Sequence, residues 1–178
     1  MKKIFPTILS LFLSFSLWSQ SNLEKEQIND SIQKYLNFST DYIFKYQYKE
    51  AIEACKHGII YANQIKDYYN LAMFYNEFGL AYDGISEFSR AKTNYLKSLE
   101  YAIKADDDRL QGWAYNNLGN VYTEGFKKID SAVYYYEKSL VLAKKLKDTV
   151  EIFTPILNIG WTYVDEGDYD KAYPYLVK

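Results

Sequence analysis

Few residues of this chain have the type and spacing that chemistry requires. His57 is the single histidine and Cys55 the single cysteine. A thiol near an imidazole suggests a nucleophile and its base. Residues one or two apart on a helix do not face each other, however, so this pair is not a catalytic dyad. One histidine also excludes a metal centre of the common multi-histidine kind, and His57 reads as solvated or partner-facing. The run Asp106-Asp107-Asp108 hints at calcium, but an EF-hand loop needs acidic residues at alternate positions, a central glycine and a closing glutamate. Arg109, Leu110 and Gln111 break that pattern, leaving a joint between helices with solvated charges. Gly119 and Gly160 are isolated within helical patterns, so no glycine-rich loop is present to cradle a phosphate. No catalytic residue, no metal ligand and no cofactor is expected.

The elements that would position any site are helical. With 48% apolar residues in 178, the chain has enough material for a core. Only 3 prolines and 8 glycines interrupt it, against many Tyr, Leu, Lys, Ala and Glu. The 20 tyrosines combine apolar bulk with a polar tip, which suits thin, partly exposed layers better than one deep core. The net charge is −2, and no run of Lys or Arg exceeds two. Nucleic acid is therefore a poor partner, because binding a polyanion needs a basic face that releases counterions.

Residues 1–20 read as a signal peptide: Lys2 and Lys3 precede the apolar stretch Ile4 to Trp18, which is interrupted by Pro6, Thr7 and several serines. That stretch is short for a bilayer-spanning helix of about 20 residues, which favours cleavage over anchoring. The expected location is exported, periplasmic or extracellular, with membrane attachment only through an uncleaved signal segment or a missing C-terminal part. A lone thiol in an oxidising compartment is safest when buried, and Cys55 falls in a helical pattern that would bury it.

Self-similarity at a fixed period organises the rest, residues 21–178. Ala51, Ala91, Ala132 and Ala172 are separated by 40, 41 and 40 residues. Gly79, Gly119 and Gly160 follow the same spacing, and Tyr82, Tyr122 and Tyr163 trail those glycines by three. One inserted residue between Tyr122 and Ala132 accounts for the mismatch. A small residue on a first helix and an alanine on a second let antiparallel helices approach closely. Gly125 and Gly167 stand where first helices should end, and Asp168 where a cap should begin the next. Each unit is expected to be a helical hairpin, over about residues 32–66, 68–106, 109–147 and 149–178, with the last apparently cut short.

Asn117-Leu118-Gly119-Asn120-Val121-Tyr122 and Asn158-Ile159-Gly160-Trp161-Thr162-Tyr163 resemble the tetratricopeptide repeat, with Phe78-Gly79-Leu80-Ala81-Tyr82 as a looser copy. The second halves agree: Ser131-Ala132 through Tyr136, Ser139 and Leu140 parallels Arg90-Ala91 through Tyr95, Ser98 and Leu99. The family period is about 34 residues, so 40 implies longer helices. The resemblance implies an all-α fold, a right-handed superhelical α-solenoid of antiparallel helix pairs. It also implies a protein or peptide partner lying on a concave face lined by first helices. The residues this places there are Asn76, Asp83, Asn116, Asn120, Thr123, Trp161 and Asp165. Asn side chains suit a peptide backbone and Trp161 an apolar anchor; the plainer reading has Trp161 packed against its neighbour. A carboxylate clamp is not expected, because these positions offer no Lys or Arg.

Departures fall at the two ends. Ser39 stands where glycine is expected and Cys55 where Tyr95, Tyr136 and Leu176 follow, so the first unit reads as a cap. Pro155 and Pro174 should bend their helices or delay their starts. Two functions fit: a stand-alone exported scaffold, or the sensing array of a longer signalling protein such as a histidine kinase or helix-turn-helix regulator.

Overall fold

In the computed structural model, the backbone is described for residues 5–177 and side chains for residues 20 and 22–177; the proposed signal segment lies largely outside the side chains described. The described residues form eight helices: α1 (Phe5–Phe44), α2 (Tyr48–Gln64), α3 (Tyr68–Gly84), α4 (Phe88–Lys104), α5 (Asp108–Glu124), α6 (Ile129–Leu146), α7 (Thr149–Glu166) and α8 (Tyr169–Leu176). They stack as consecutive antiparallel hairpins. From α3 onward the first helices begin at 68, 108 and 149, and the second helices α2, α4, α6 and α8 at 48, 88, 129 and 169, so the sequence period is the period of the fold.

Local chemistry sets the helix ends. Asp67, Asp107 and Asp148 cap α3, α5 and α7, each accepting from backbone N–H groups of the first turn, and Asp168 does the same for α8. Such caps contribute about 1 kcal/mol apiece. Every connection then turns through one left-handed residue: Tyr46, Lys66, Ser86, Asp106, Lys127, Lys147 and Gly167. Only the last is glycine. Gly125, which the sequence suggests as a helix-ending glycine, has φ −85 and is right-handed; the left-handed place belongs to Lys127. A Cβ on Gly125 would meet Cγ of Phe88 at 2.4 Å, so its role is to admit that ring.

The core is a column of thin layers at the crossings. Ala51, Ala91, Ala132 and Ala172 are all buried, and Ala51, Ala91 and Ala132 pack against the first helix of the following unit, beside Ala81, Leu118 and Ile159. The repeated glycines serve a different purpose from backbone approach. A Cβ on Gly79 or Gly119 would fall 2.4 Å from Cε1 of Tyr95 or Tyr136, and one on Gly160 2.5 Å from Leu176. The glycine is the bare patch on which a large side chain of the partner helix rests.

Pro155 and Pro174 lie inside α7 and α8. Neither helix starts late: each proline sits five or six residues in, and its ring replaces one backbone hydrogen bond while the chain stays helical on both sides. α1 begins well before residue 32.

Candidate functional site

First helices touch one another across units, α1 with α3, α3 with α5 and α5 with α7, while second helices do not. The first helices therefore line the inner side of the stack and the second helices the outer. The inner side carries a ladder of amides. Asn117 donates Nδ2–H to Asn76 Oδ1 at 2.8 Å, and one unit later Asn158 donates to Asn116 Oδ1 at 2.9 Å and to Asn120 Oδ1 at 3.4 Å. Trp113 Nε1 donates to Glu151 Oε1 at 2.9 Å, joining α5 to α7. These bonds fix the tilt between units as well as the surface they present.

Each residue assigned to this face can now be placed. Asn76 is only 7% exposed, and its carbonyl is occupied by Asn117. Asn116 and Asn120 are half-buried and accept from Asn158, and Asn120 also accepts from the Tyr136 hydroxyl at 2.9 Å. Thr123 donates to Gly119 O at 3.2 Å and lies within 3.3 Å of Tyr136 Oη and 3.4 Å of Thr162 Oγ1. These four are engaged in the array itself. Asp83 is half-buried with one carboxylate oxygen unpartnered. Trp161 is 58% exposed, not packed away, and Asp165 is exposed one turn further along α7.

Asn117, Asn158, Trp113 and Glu151 also belong to the face, and the sequence reading did not assign them there. Their signal was available: Asn117 and Asn158 share one register position, 41 residues apart. Together with Asn76, Leu80 and Asn116, Asn117, Trp113 and Glu151 border a cleft of about 190 Å³ running over α3, α5 and α7.

Electrostatics set two carboxyls apart. Burial pushes Glu77 up to about 7, against a hydrogen bond from Thr40 that lowers it. Asp83 is pushed up to about 6 by burial and by the neighbouring Glu124. Cys55 is fully buried, and burial raises its thiol far above the ordinary range. His57 is exposed and stacks on Tyr35 at 5.2 Å. No group of three or more His, Cys, Asp or Glu among the described residues is placed to hold a metal ion.

A larger opening of about 420 Å³ lies at the other end, between α1 and α2, beside Tyr35, Phe38, Tyr42, Glu50, Glu53 and His57. Tyr42 of this opening packs, with Phe78 and Tyr82 of α3, against Ala51 and Ile52 of α2 and Ala81 of α3.

Stacked antiparallel helix pairs with first helices inside define an α-solenoid. Residues 155–178 match the tetratricopeptide repeat family, and the described helices pair as in a tetratricopeptide-like solenoid. Among solved structures, BtubC (BKLC) from P. vanneervenii aligns with a TM-score of 0.71 at 20% identity, covering 82% of this chain and 60% of that one. The apo form of RapI aligns with a TM-score of 0.75 at 16% identity, covering 82% and 53%. The chain thus spans between about half and three-fifths of the length of these two relatives. A search of curated proteins found no match.

Proposed function

We propose that this chain is a non-catalytic scaffold that holds a protein or peptide along the inner face of its first helices. The observation that carries the reading is the inner face itself. It sets bonded amides beside Leu80, Trp113 and Pro155 over α3, α5 and α7, and α7 adds an exposed Trp161 with Asp165 one turn further on. An exposed tryptophan beside fixed amides offers an apolar anchor and backbone hydrogen bonds together, which is what an extended segment needs. Catalysis finds no support, since the one thiol is buried and protonated and the one imidazole has no nucleophile beside it. Asp83, Glu124 and Asp165 bias the face toward basic segments. Random-peptide display on the full chain tests this: Asp83→Lys with Asp165→Lys should weaken the selected peptides at least about tenfold, and unchanged affinity contradicts the proposal.

Export belongs to the same proposal, supported by the Lys2-Lys3 start and the apolar stretch that follows. Among the described residues no helix is long and apolar enough to cross a membrane. N-terminal sequencing of the protein from fractionated cells decides it, with a start near residue 20 expected and an intact Met1 in the cytoplasm opposing it.

A further inference from the structure

Tyr42, Tyr82, Tyr122 and Tyr163 occupy one register position on α1, α3, α5 and α7. Three of these four rings carry a cation of the chain itself. Arg90 Cζ lies 5.5 Å from the centroid of Tyr82, Lys92 Nζ 5.9 Å from that of Tyr122, and Lys171 Nζ 5.5 Å from that of Tyr163. Over Tyr42 no Lys or Arg of the described residues is placed. Lys34 lies instead over Tyr35 and Phe38, at 5.6 and 5.7 Å, and Lys45 pairs with Asp41 at 2.7 Å.

Two residues of α2 set the first unit apart. Arg90 and Lys171 each stand one residue before the repeated alanine, and in the first unit that place holds Glu50. Tyr135 of α6 stacks its ring on Tyr115 and Tyr122 at 6.3 and 5.3 Å, and its place in α2 holds Ala54. The first unit thus lacks both the cation and the ring, and the opening of about 420 Å³ is bordered by Tyr42, Glu50 and Ala54. Phe38, Glu50, Glu53 and His57 on its border are exposed, so it is reached from solvent. Glu53 pairs with Lys56 at 2.6 Å, while Glu50 has no ion-pair partner among the described residues. Lys49, also on the border, is exposed and can keep its ammonium in water.

We infer that this opening is a docking slot for an arginine side chain of a protein partner, whose guanidinium stacks on Tyr42 as Arg90 does on Tyr82 and pairs with Glu50. The charge at the register position is inverted, so the cation that other units supply from within has to come from outside. A guanidinium meets both demands, lying flat on a ring while its edge N–H groups reach a carboxylate. The exposed rings of Phe38, Phe44 and Tyr46 lie at the same end of α1 and give the rest of the partner segment an apolar surface. The slot is distinct from the inner face: one period before Asn76 and Asp83 stand Leu36 and Ile43, on a different side of α1 from Tyr35, Phe38 and Tyr42. It therefore stands or falls apart from the scaffold reading.

The test is an NMR titration of the full chain with an acetylated, amidated alanine pentapeptide carrying arginine at its centre. The same peptide with citrulline, which keeps the shape and loses the charge, is the control. The arginine peptide should shift the amides of Tyr42, Glu50 and Ala54 and bind at least about threefold more tightly than the citrulline peptide at low salt. Glu50→Arg copies the second unit at an exposed position, so the fold is kept while the slot is filled from within, and the preference should vanish. Equal binding of the two peptides, or a preference that survives Glu50→Arg, overturns the slot. Tetramethylammonium binding there as tightly as the arginine peptide would make it a site for a small cation and overturn the assignment to a protein partner.

Discussion

The ring of Tyr95 lies on the bare backbone of Gly79, where a Cβ would come within 2.4 Å of Cε1. The first unit inverts the pair: Ser39 fills the glycine's place and the smaller Cys55 the tyrosine's, and the two side chains adjoin. What reads in the sequence as two unrelated departures is one compensated exchange of volume across a helix crossing. Gly79→Ser should cost about 2 kcal/mol by overpacking, and Tyr95→Cys about 3 kcal/mol by leaving a cavity. Combined, they should cost at least about 1 kcal/mol less than the sum. Urea unfolding of the four proteins measures the coupling, and strict additivity would show that the two positions are independent.

The left-handed connections provide a second test. Lys66, Ser86 and Asp106 hold φ of 54, 60 and 53, a conformation that costs an L-residue about 1 kcal/mol or more. Glycine removes that cost but loses more entropy on folding. Changing all three to glycine should therefore raise stability by about 1 kcal/mol. A lower melting temperature for the triple variant counts against the turn geometry.

Glu77 makes stability depend on pH. Its carboxyl rises from an ordinary 4.5 to about 7 in the folded chain, chiefly through burial. Between those values the folded chain keeps a proton that the unfolded chain has released. Stability is therefore greatest below pH 4.5 as far as this group is concerned, falls as pH rises toward 7, and is flat above. Glu77→Gln should stabilise the protein by about 2 kcal/mol at pH 8 and by little at pH 4.5. Equal effects at both pH values in urea melts rule out this origin.

Cys55 should be chemically silent while the chain is folded. Burial keeps it in the unreactive thiol form. A thiol-specific reagent at pH 8 should label it at least about a hundredfold faster in denaturing urea than in buffer. Similar rates in the two conditions would place the thiol at the surface.

The period was legible because stacking imposes it: each alanine seam and each glycine patch must recur once per unit, and Ala91 with Gly119 does so at the level of residue type. Asp168 was legible as the cap of α8, whereas the same role of Asp67, Asp107 and Asp148 on the first helices was not assigned from sequence. Three further features were not legible. Left-handed turns are visible in sequence only when filled by glycine, and Lys66, Ser86 and Asp106 fill them instead. Pro155 and Pro174 lie within helices because neighbouring packing holds the chain helical around one missing bond. The inner face misled most, since helical periodicity says which side a residue lies on and not whether the next unit already uses it. Asn76 and Asn116 are on the expected side but are spent on Asn117 and Asn158, and the unpaired groups gather around Asp83.

Hydroxyl-radical footprinting of the full chain, with and without a display-selected peptide, tests most directly whether the inner face is the binding surface. Trp161 on the first helix α7, the proposed anchor, and Tyr134 on the second helix α6 are similarly exposed, at 58% and 53%, so each reports on its own helix. Oxidation of Trp161 should fall at least about threefold on peptide binding, as expected for an anchor buried at an interface, while Tyr134 stays unchanged. Protection of Tyr134 with Trp161 still fully oxidised would contradict the inner-face scaffold.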